Sequence, residues 1–123
     1  TISDDERFLS AMRYEVKYQS EDYRKINDHE MLECHDCMAP REVGLQVDHF
    51  IPFKQILADF LKLHDKEEIK KRMSKAEEQF YWRLDERDRK LWCDYHKRRA
   101  VFQFLCRDCH RAKTTSEIKI KVY

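Results

Sequence analysis

Four of the five cysteines fall into two pairs with metal-ligand spacing, Cys34-x-x-Cys37 and Cys106-x-x-Cys109. Each C-x-x-C turn can present two thiolates to one ion, and two such turns meet the tetrahedral, four-coordinate preference of zinc. The 68 residues between Cys37 and Cys106 exceed the spacing of a compact zinc ribbon, so folding must bring the pairs together. An odd number of cysteines, with no secretory segment opening the chain, argues against a disulfide framework. Cys93 is then expected to be a free thiol. The competing account of the same residues is two unrelated pairs of buried cysteines that pack as small hydrophobes.

A zinc staple by itself carries no reaction, so the residues beside each knuckle matter more. Downstream of Cys37 runs Val47-Asp48-His49-Phe50-Ile51-Pro52, and Cys109 is followed by His110, with Lys113 one helical turn further on. Taken singly these residues have plain explanations. His49 could be a satisfied structural histidine, Asp48 a turn or cap residue, His110 a zinc ligand or helix-start residue, and Lys113 a solvent lysine. Lys113 could equally reach a phosphate as a point charge.

Together they resemble the HNH endonuclease family. The commonest bacterial and phage pattern of that family is a C-x-x-C knuckle, a VDHI-x-P strand, and then LC-x-x-CH-x-x-K. This chain reads Cys34-His35-Asp36-Cys37, then Val47 to Pro52, then Leu105-Cys106-Arg107-Asp108-Cys109-His110-Arg111-Ala112-Lys113. The resemblance covers both ends of the expected core, and the order of the elements agrees.

The resemblance implies an α+β fold of the ββα-metal, treble-clef-like type. A two-stranded hairpin would carry Asp48 and His49, a short helix would carry His110, and a structural Zn²⁺ on Cys34, Cys37, Cys106 and Cys109 would staple them. His49 would be the general base that takes a proton from the attacking water, a task suited to an imidazole whose ordinary pKa lies near neutrality. Asp48 and His110 would hold one catalytic divalent cation, Mg²⁺, Mn²⁺, Ni²⁺ or Zn²⁺, as a mixed carboxylate and imidazole set allows. The substrate would be DNA, with double-stranded DNA expected, and the products would carry 5′-phosphate and 3′-hydroxyl ends.

Two features depart from the family pattern. The middle letter of HNH stands for an asparagine a few residues ahead of the second knuckle, where it braces the loop that holds the base. Here the corresponding residue is Val101, whose side chain cannot hydrogen-bond. His96 and Gln103 are the nearest polar substitutes, although His96 reads first as a helix-surface residue. The second departure is a long segment, about 54–100, between the two halves of the core.

The elements that must position these residues follow from periodicity and caps. Ser3-x-x-Glu6 is a capping box, and Phe8, Leu9, Met12, Val16, Tyr23 and Ile26 recur at roughly helical spacing, which predicts a helix over about 4–26. Pro40 and Gly44 mark a turn, and residues 45–53 read as a strand or strand plus loop. The segment 54–100 reads as a helical insert. Ile56, Leu57, Phe60 and Leu61 share an apolar face, and Asp65 caps a helix bearing Ile69 and Met73. A capping box at Ser74-x-x-Glu77 is followed by Phe80, Tyr81 and Leu84, and Leu91, Trp92 and Tyr95 form a further stripe. Residues 101–105 suggest a short strand, His110 to Glu117 a short helix, and 118–123 an alternating terminal strand. The ββα core would then span 31–53 and 101–118 of one domain, 1–123. A chain that opens on Thr1 fits a processed protein or a fragment.

Composition supports this reading. Charged residues make up 40% of the chain and there is one glycine, which favours a helix-rich, well-solvated domain over a sandwich or barrel with many turns. No apolar run reaches the roughly 18 residues of a membrane span. The small net charge hides an asymmetry: residues 1–50 hold 6 Lys and Arg against 12 Asp and Glu, and residues 83–123 hold 12 against 6. A basic face can bind a polyanion even on a near-neutral chain, although a solvated helix surface has the same composition. Arg87, Arg89, Arg98 and Arg99 in the insert could contact a DNA backbone, with Arg98, Arg99 and Lys113 the expected substrate-binding set. With no separate reader module in view, a homodimer or a partner protein is the expected source of specificity. The expected location is intracellular, in a bacterial or phage-infected cytoplasm. The rival function is a catalytically silent zinc-stapled module that binds nucleic acid or protein.

Overall fold

A computed structural model of the chain describes residues 3–75 and 82–117. The fold is mixed α and β. Its order is α1 (Asp4–Asn27), a 3-10 turn (Arg41–Val43), β1 (Leu45–His49), α2 (Phe53–Leu63), α3 (Lys66–Arg72), β2 (Ser74–Lys75), β3 (Trp82–Arg83), α4 (Glu86–Arg99), β4 (Phe102–Cys106) and α5 (Arg107–Glu117).

The local signals explain most of these boundaries. The Ser3 hydroxyl accepts from the Glu6 backbone N–H, and the Glu6 carboxylate accepts from the Ser3 N–H, which closes the capping box of α1. Asp65 accepts from the Glu68 N–H at the start of α3, and Asp85 from the Arg87 N–H at the start of α4. Each such cap is worth about 1 kcal/mol because it satisfies an otherwise orphaned donor. Gly44, at φ 86°, ends the 3-10 turn in a conformation that glycine adopts without a Cβ clash.

Two clusters form the core. The larger packs Phe8, Met12 and Val16 of α1 against Phe53, Ile56, Leu57 and Phe60 of α2, with Ile69, Leu84 and Trp92 closing it. Trp92 is wholly buried and its indole N–H donates to the Met12 carbonyl at 2.9 Å. This bond removes the cost of an unpaired donor in the interior. The smaller cluster gathers Cys34, Leu45, Phe104, Leu105 and Cys106, with Tyr23 of α1 and Leu32 against it. The two halves are joined through α1. Arg24 donates to the Leu45 carbonyl at 2.8 Å, and the Glu15 carboxylate, only 2% exposed, takes bonds from Arg83, Arg89 and the Leu84 N–H.

β1 and β4 pair antiparallel, in the register Leu45↔Cys106, Val47↔Phe104, Asp48↔Gln103 and His49↔Phe102. The chain between them is the helical segment α2 to α4, so this is a pair of distant strands and not a hairpin. α5 follows β4 directly and packs on both strands.

Several expectations are corrected. Ser74 does not open a helix: it pairs with Arg83 in the β2–β3 ribbon, and Leu84 lies in the loop after it. Glu77, Phe80 and Tyr81 of that expected helix, and the terminal strand expected over 118–123, lie outside the described residues. Ile26 is 80% exposed and not part of the α1 core stripe, which continues instead through Glu15 and Gln19. Among the described residues, no helix is long and apolar enough to cross a membrane.

Candidate functional site

Two sites lie side by side on the strands and α5. In the first, the sulfurs of Cys34, Cys37, Cys106 and Cys109 all lie within 4.8 Å of one another. None is in a disulfide, and Cys37 Sγ stands 3.7 Å from Cys106 Sγ. Two thiolates on one tetrahedral zinc, at Zn–S near 2.3 Å, would sit about 3.8 Å apart, so the donors fit a structural metal such as zinc.

Local backbone builds this cluster. The Cys34 N–H donates to the Ala39 carbonyl and the Met38 N–H to the Cys34 carbonyl, folding the first knuckle tightly, with Met38 at φ 63°. The His35 N–H donates to the Phe104 carbonyl and ties the knuckle to β4. Cys106 ends β4, and Cys109 lies in the first turn of α5. Burial opposes ionisation of Cys34, but backbone N–H groups of Cys37, Cys106 and Asp36 outweigh it and bring the thiol down to about 6. The Cys109 thiol moves the other way, raised by its contacts with the Cys106 and Cys37 sulfurs. Four thiols this close cannot all ionise without a cation among them. Cys93, the fifth, is separate: its thiol donates to the Glu15 carbonyl, and burial pushes its pKa up.

The second site surrounds Asp48. Its Oδ2 accepts from Gln103 Nε2 at 2.9 Å and lies 3.2 Å from Lys113 Nζ, while its Oδ1 faces His110 Nε2 at 3.5 Å. The fold therefore brings Asp48 and His110 together, and His110 faces that carboxylate and is not among the donors of the cysteine cluster. Two donors on one ion at about 2.1 Å each sit roughly 3.0–3.4 Å apart, so Oδ1 and Nε2 fit a shared divalent cation after a small approach. Gln103 and Lys113 hold the other oxygen, which leaves Asp48 one oxygen for such an ion. The Gln103 Oε1 is buried and has no partner among the described residues, an orientation forced by the carboxylate, which needs the amide N–H₂ facing it.

His49 neighbours Asp48 on the edge of a cleft of about 420 Å³ whose lining includes Arg13, Lys54, His110 and Glu117. Its Nε2 lies 2.9 Å from His96 Nε2, and Phe53 and Phe102 stand against the ring edge-on at 5.6 and 5.0 Å. Burial among these rings lowers the His49 pKa to about 4; Asp48 works against the shift, and Arg13 and Lys113 add to it. The His96 pKa also falls to about 4, first through burial and then through His49.

The reading of His96 as a helix-surface residue is overturned: the residue is fully buried at 0% exposure, because α4 turns that face onto α1 and β1. Lys113 does not project toward solvent as a free phosphate contact. It donates to the His49 carbonyl at 2.6 Å and is tied to Asp48 and Glu117. Burial works against its charge, but the bonds to Glu117 and Asp48 outweigh it and raise its pKa. Arg99 is occupied by Asp59 at 2.8 Å and by the Tyr95 hydroxyl, and Arg89 by Glu15 and the Leu84 carbonyl. Arg98 is exposed outside the cleft. The cleft's basic side chains are Arg13, whose guanidinium also lies over the Phe53 ring at 4.5 Å, and Lys54. Neither residue stood out in the sequence, where each is one basic residue among 25. Val101 is half exposed, and its carbonyl, not its side chain, braces the loop after the strand by accepting from the Phe50 N–H at 2.7 Å.

A larger, open hollow of about 1190 Å³ between α1 and α4 is lined by Tyr14, Tyr18, Glu15 and Arg89. The buried Glu15 carboxylate that lines it is neutralised by Arg83 and Arg89. No protein-family model, curated protein or solved structure matches the chain.

Proposed function

We propose that this protein is a metal-dependent endonuclease of the HNH kind, cutting phosphodiester bonds in DNA. One observation carries the reading: Asp48 Oδ1 and His110 Nε2 converge at 3.5 Å next to His49, in a cleft with Arg13 and Lys54. A divalent cation held by Asp48 and His110 would supply Lewis-acid stabilisation of charge on the scissile phosphate and the leaving oxygen. His49 accepts a proton from the attacking water; its depressed pKa keeps the imidazole neutral, and so able to act as a base, at neutral pH. Arg13 and Lys54 attract the phosphate backbone, positioning the substrate without reading its sequence. The four-cysteine cluster, filled by zinc, fixes the knuckle and α5, and through α5 the position of His110.

A second reading is a zinc-stapled binding module without catalysis. The Lys113 ammonium favours it, since its place beside Asp48 opposes entry of another cation.

Nicking of supercoiled plasmid separates the two. Wild type and His49→Ala are compared with Mg²⁺, Mn²⁺ or Ni²⁺ and with a chelator. The nuclease reading expects metal-dependent nicking by wild type and its loss in a folded His49→Ala variant. Folded proteins that bind DNA and cut in no metal would leave the binding module.

A further inference from the structure

A chain of hydrogen bonds runs from α1 through α4 to His49, and each link fixes the next. It begins at the Cys93 backbone carbonyl, which can only accept. Gln19 Nε2 lies 3.0 Å from that oxygen, so it must be the amide N–H₂ end. Gln19 Oε1 is therefore the acceptor that faces His96 Nδ1 at 2.7 Å, and His96 must carry a proton on Nδ1. His96 is fully buried, with Phe53, Trp92 and Phe102 against its ring. No carboxylate bonds to it among the described residues, and a buried imidazolium would be costly there. As the neutral ring it has a bare Nε2, which accepts from the nitrogen 2.9 Å away, His49 Nε2. His49 then carries its proton on Nε2 and has a lone pair on Nδ1. Among the described residues, no group hydrogen-bonds to that Nδ1.

We infer that His96, held by Gln19, is a positioning residue that locks His49 in the Nε2-protonated tautomer, so that Nδ1 is the atom that takes the proton from water. The clause about water rests on the nuclease reading; the tautomer does not. In this chain the pair also does by side chain what Val101 cannot do. It fixes the base from behind, through α4 of the helical insert, which gives that insert a part in the site.

The Gln19–His96 pair is more than packing. A hydrophobic wall would hold the His49 ring in place but would leave both tautomers open. A donor to Nε2 in place of His96 would force the proton onto Nδ1 and silence the base.

The test is long-range ¹H–¹⁵N correlation NMR of the full zinc-loaded chain with ¹⁵N-labelled histidine, the His49 signals being assigned with His49→Ala. In wild type, His49 is expected to show a bare Nδ1 and a protonated Nε2. In His96→Phe, which keeps a ring but no nitrogen, the bare-Nδ1 population falls toward a mixture. Gln19→Leu guards against misfolding of that variant: it leaves His96 in place but frees it to reverse its donor and acceptor ends, and the bare-Nδ1 population again falls. A protonated Nδ1 in wild type overturns the inference, and so does a His49 tautomer unchanged in either folded variant. Nicking kinetics are read separately, with kcat expected to fall by about 10–100-fold in His96→Phe at little change in KM, the range typical of lost support to a catalytic group. A wild type that never nicks, yet shows bare Nδ1 lost in both variants, would sink the nuclease reading and leave the relay standing.

Discussion

Gln103 faces Asp48 directly across the β1–β4 pair and donates to its Oδ2 at 2.9 Å, so only Oδ1 is left toward His110. Without Gln103 only Lys113 is left to hold Oδ2. Gln103→Leu is therefore expected to weaken catalytic-cation binding by about 10–100-fold, read by titrating Mn²⁺ against nicking or by calorimetry. Unchanged affinity in a folded variant would show that Lys113 alone orients Asp48.

The cysteine cluster predicts one tightly held zinc per chain. Native mass spectrometry should find it in wild type and lose it in Cys34→Ser, with the chain largely unfolded, because binding energy at such a site is folding energy. Cys93→Ser should keep its zinc, since Cys93 lies in another part of the fold against α1. Full folding of Cys34→Ser, or of wild type under a strong chelator, would refute a structural metal.

The Glu15 carboxylate holds two arginines and a backbone N–H on its 2%-exposed side chain. Removing one member of a buried charge network costs about 3–5 kcal/mol. Arg83 and Arg89 keep partial access to water, so Glu15→Ala should fall at or below the lower end of that range in urea unfolding. Glu15→Gln keeps an acceptor for the Leu84 N–H and should cost less. Equal losses in both variants would mean that the backbone bond contributes little.

The depressed His49 and His96 make the fold sensitive to acid. Unfolded, each takes a proton near its ordinary value of 6.5; folded, each resists until about 4. Below 6.5 the unfolded chain binds more protons, so stability should fall as pH drops from 6.5 toward 4, and level off below that with respect to this pair. Urea midpoints at about pH 7 and about pH 5 measure the slope. It should shrink in His96→Phe; a slope unchanged there would belong to the zinc thiolates instead.

Lys54 lines the cleft and makes no ion pair among the described residues. Lys54→Ala should weaken binding evenly across DNA sequences and reduce the slope of log K against log salt by about 0.9, the value for one lost phosphate contact. Arg99→Ala should change stability through Asp59 and leave that slope in place. The reverse pattern would move the DNA-binding face to the end of α4.

The amino-acid sequence by itself determined the parts whose signals are local. Ser3 and Asp65 cap helices where their spacing says they should, because a cap bonds to the next turn of its own chain. The two knuckles were legible because a metal site demands fixed residue types at fixed spacing, and the Asp48-His49 strand because its β-branched and aromatic residues run up to Pro52. Ser74 misled because its capping spacing competes with pairing across to Arg83, a contact that local sequence does not carry. The tertiary structure alone decided what surrounds His49. His96 lies 47 residues from His49 and 77 from Gln19. A polar residue on the buried stripe of a helix has the same letter and spacing as one on the wet face. Only the packing of α1 on α4 shows that Gln19 and His96 face each other, and only that of α5 on β1 that Lys113 turns inward to Asp48. Apolar periodicity records which face of a helix is buried, whereas a polar contact is fixed by which two faces meet.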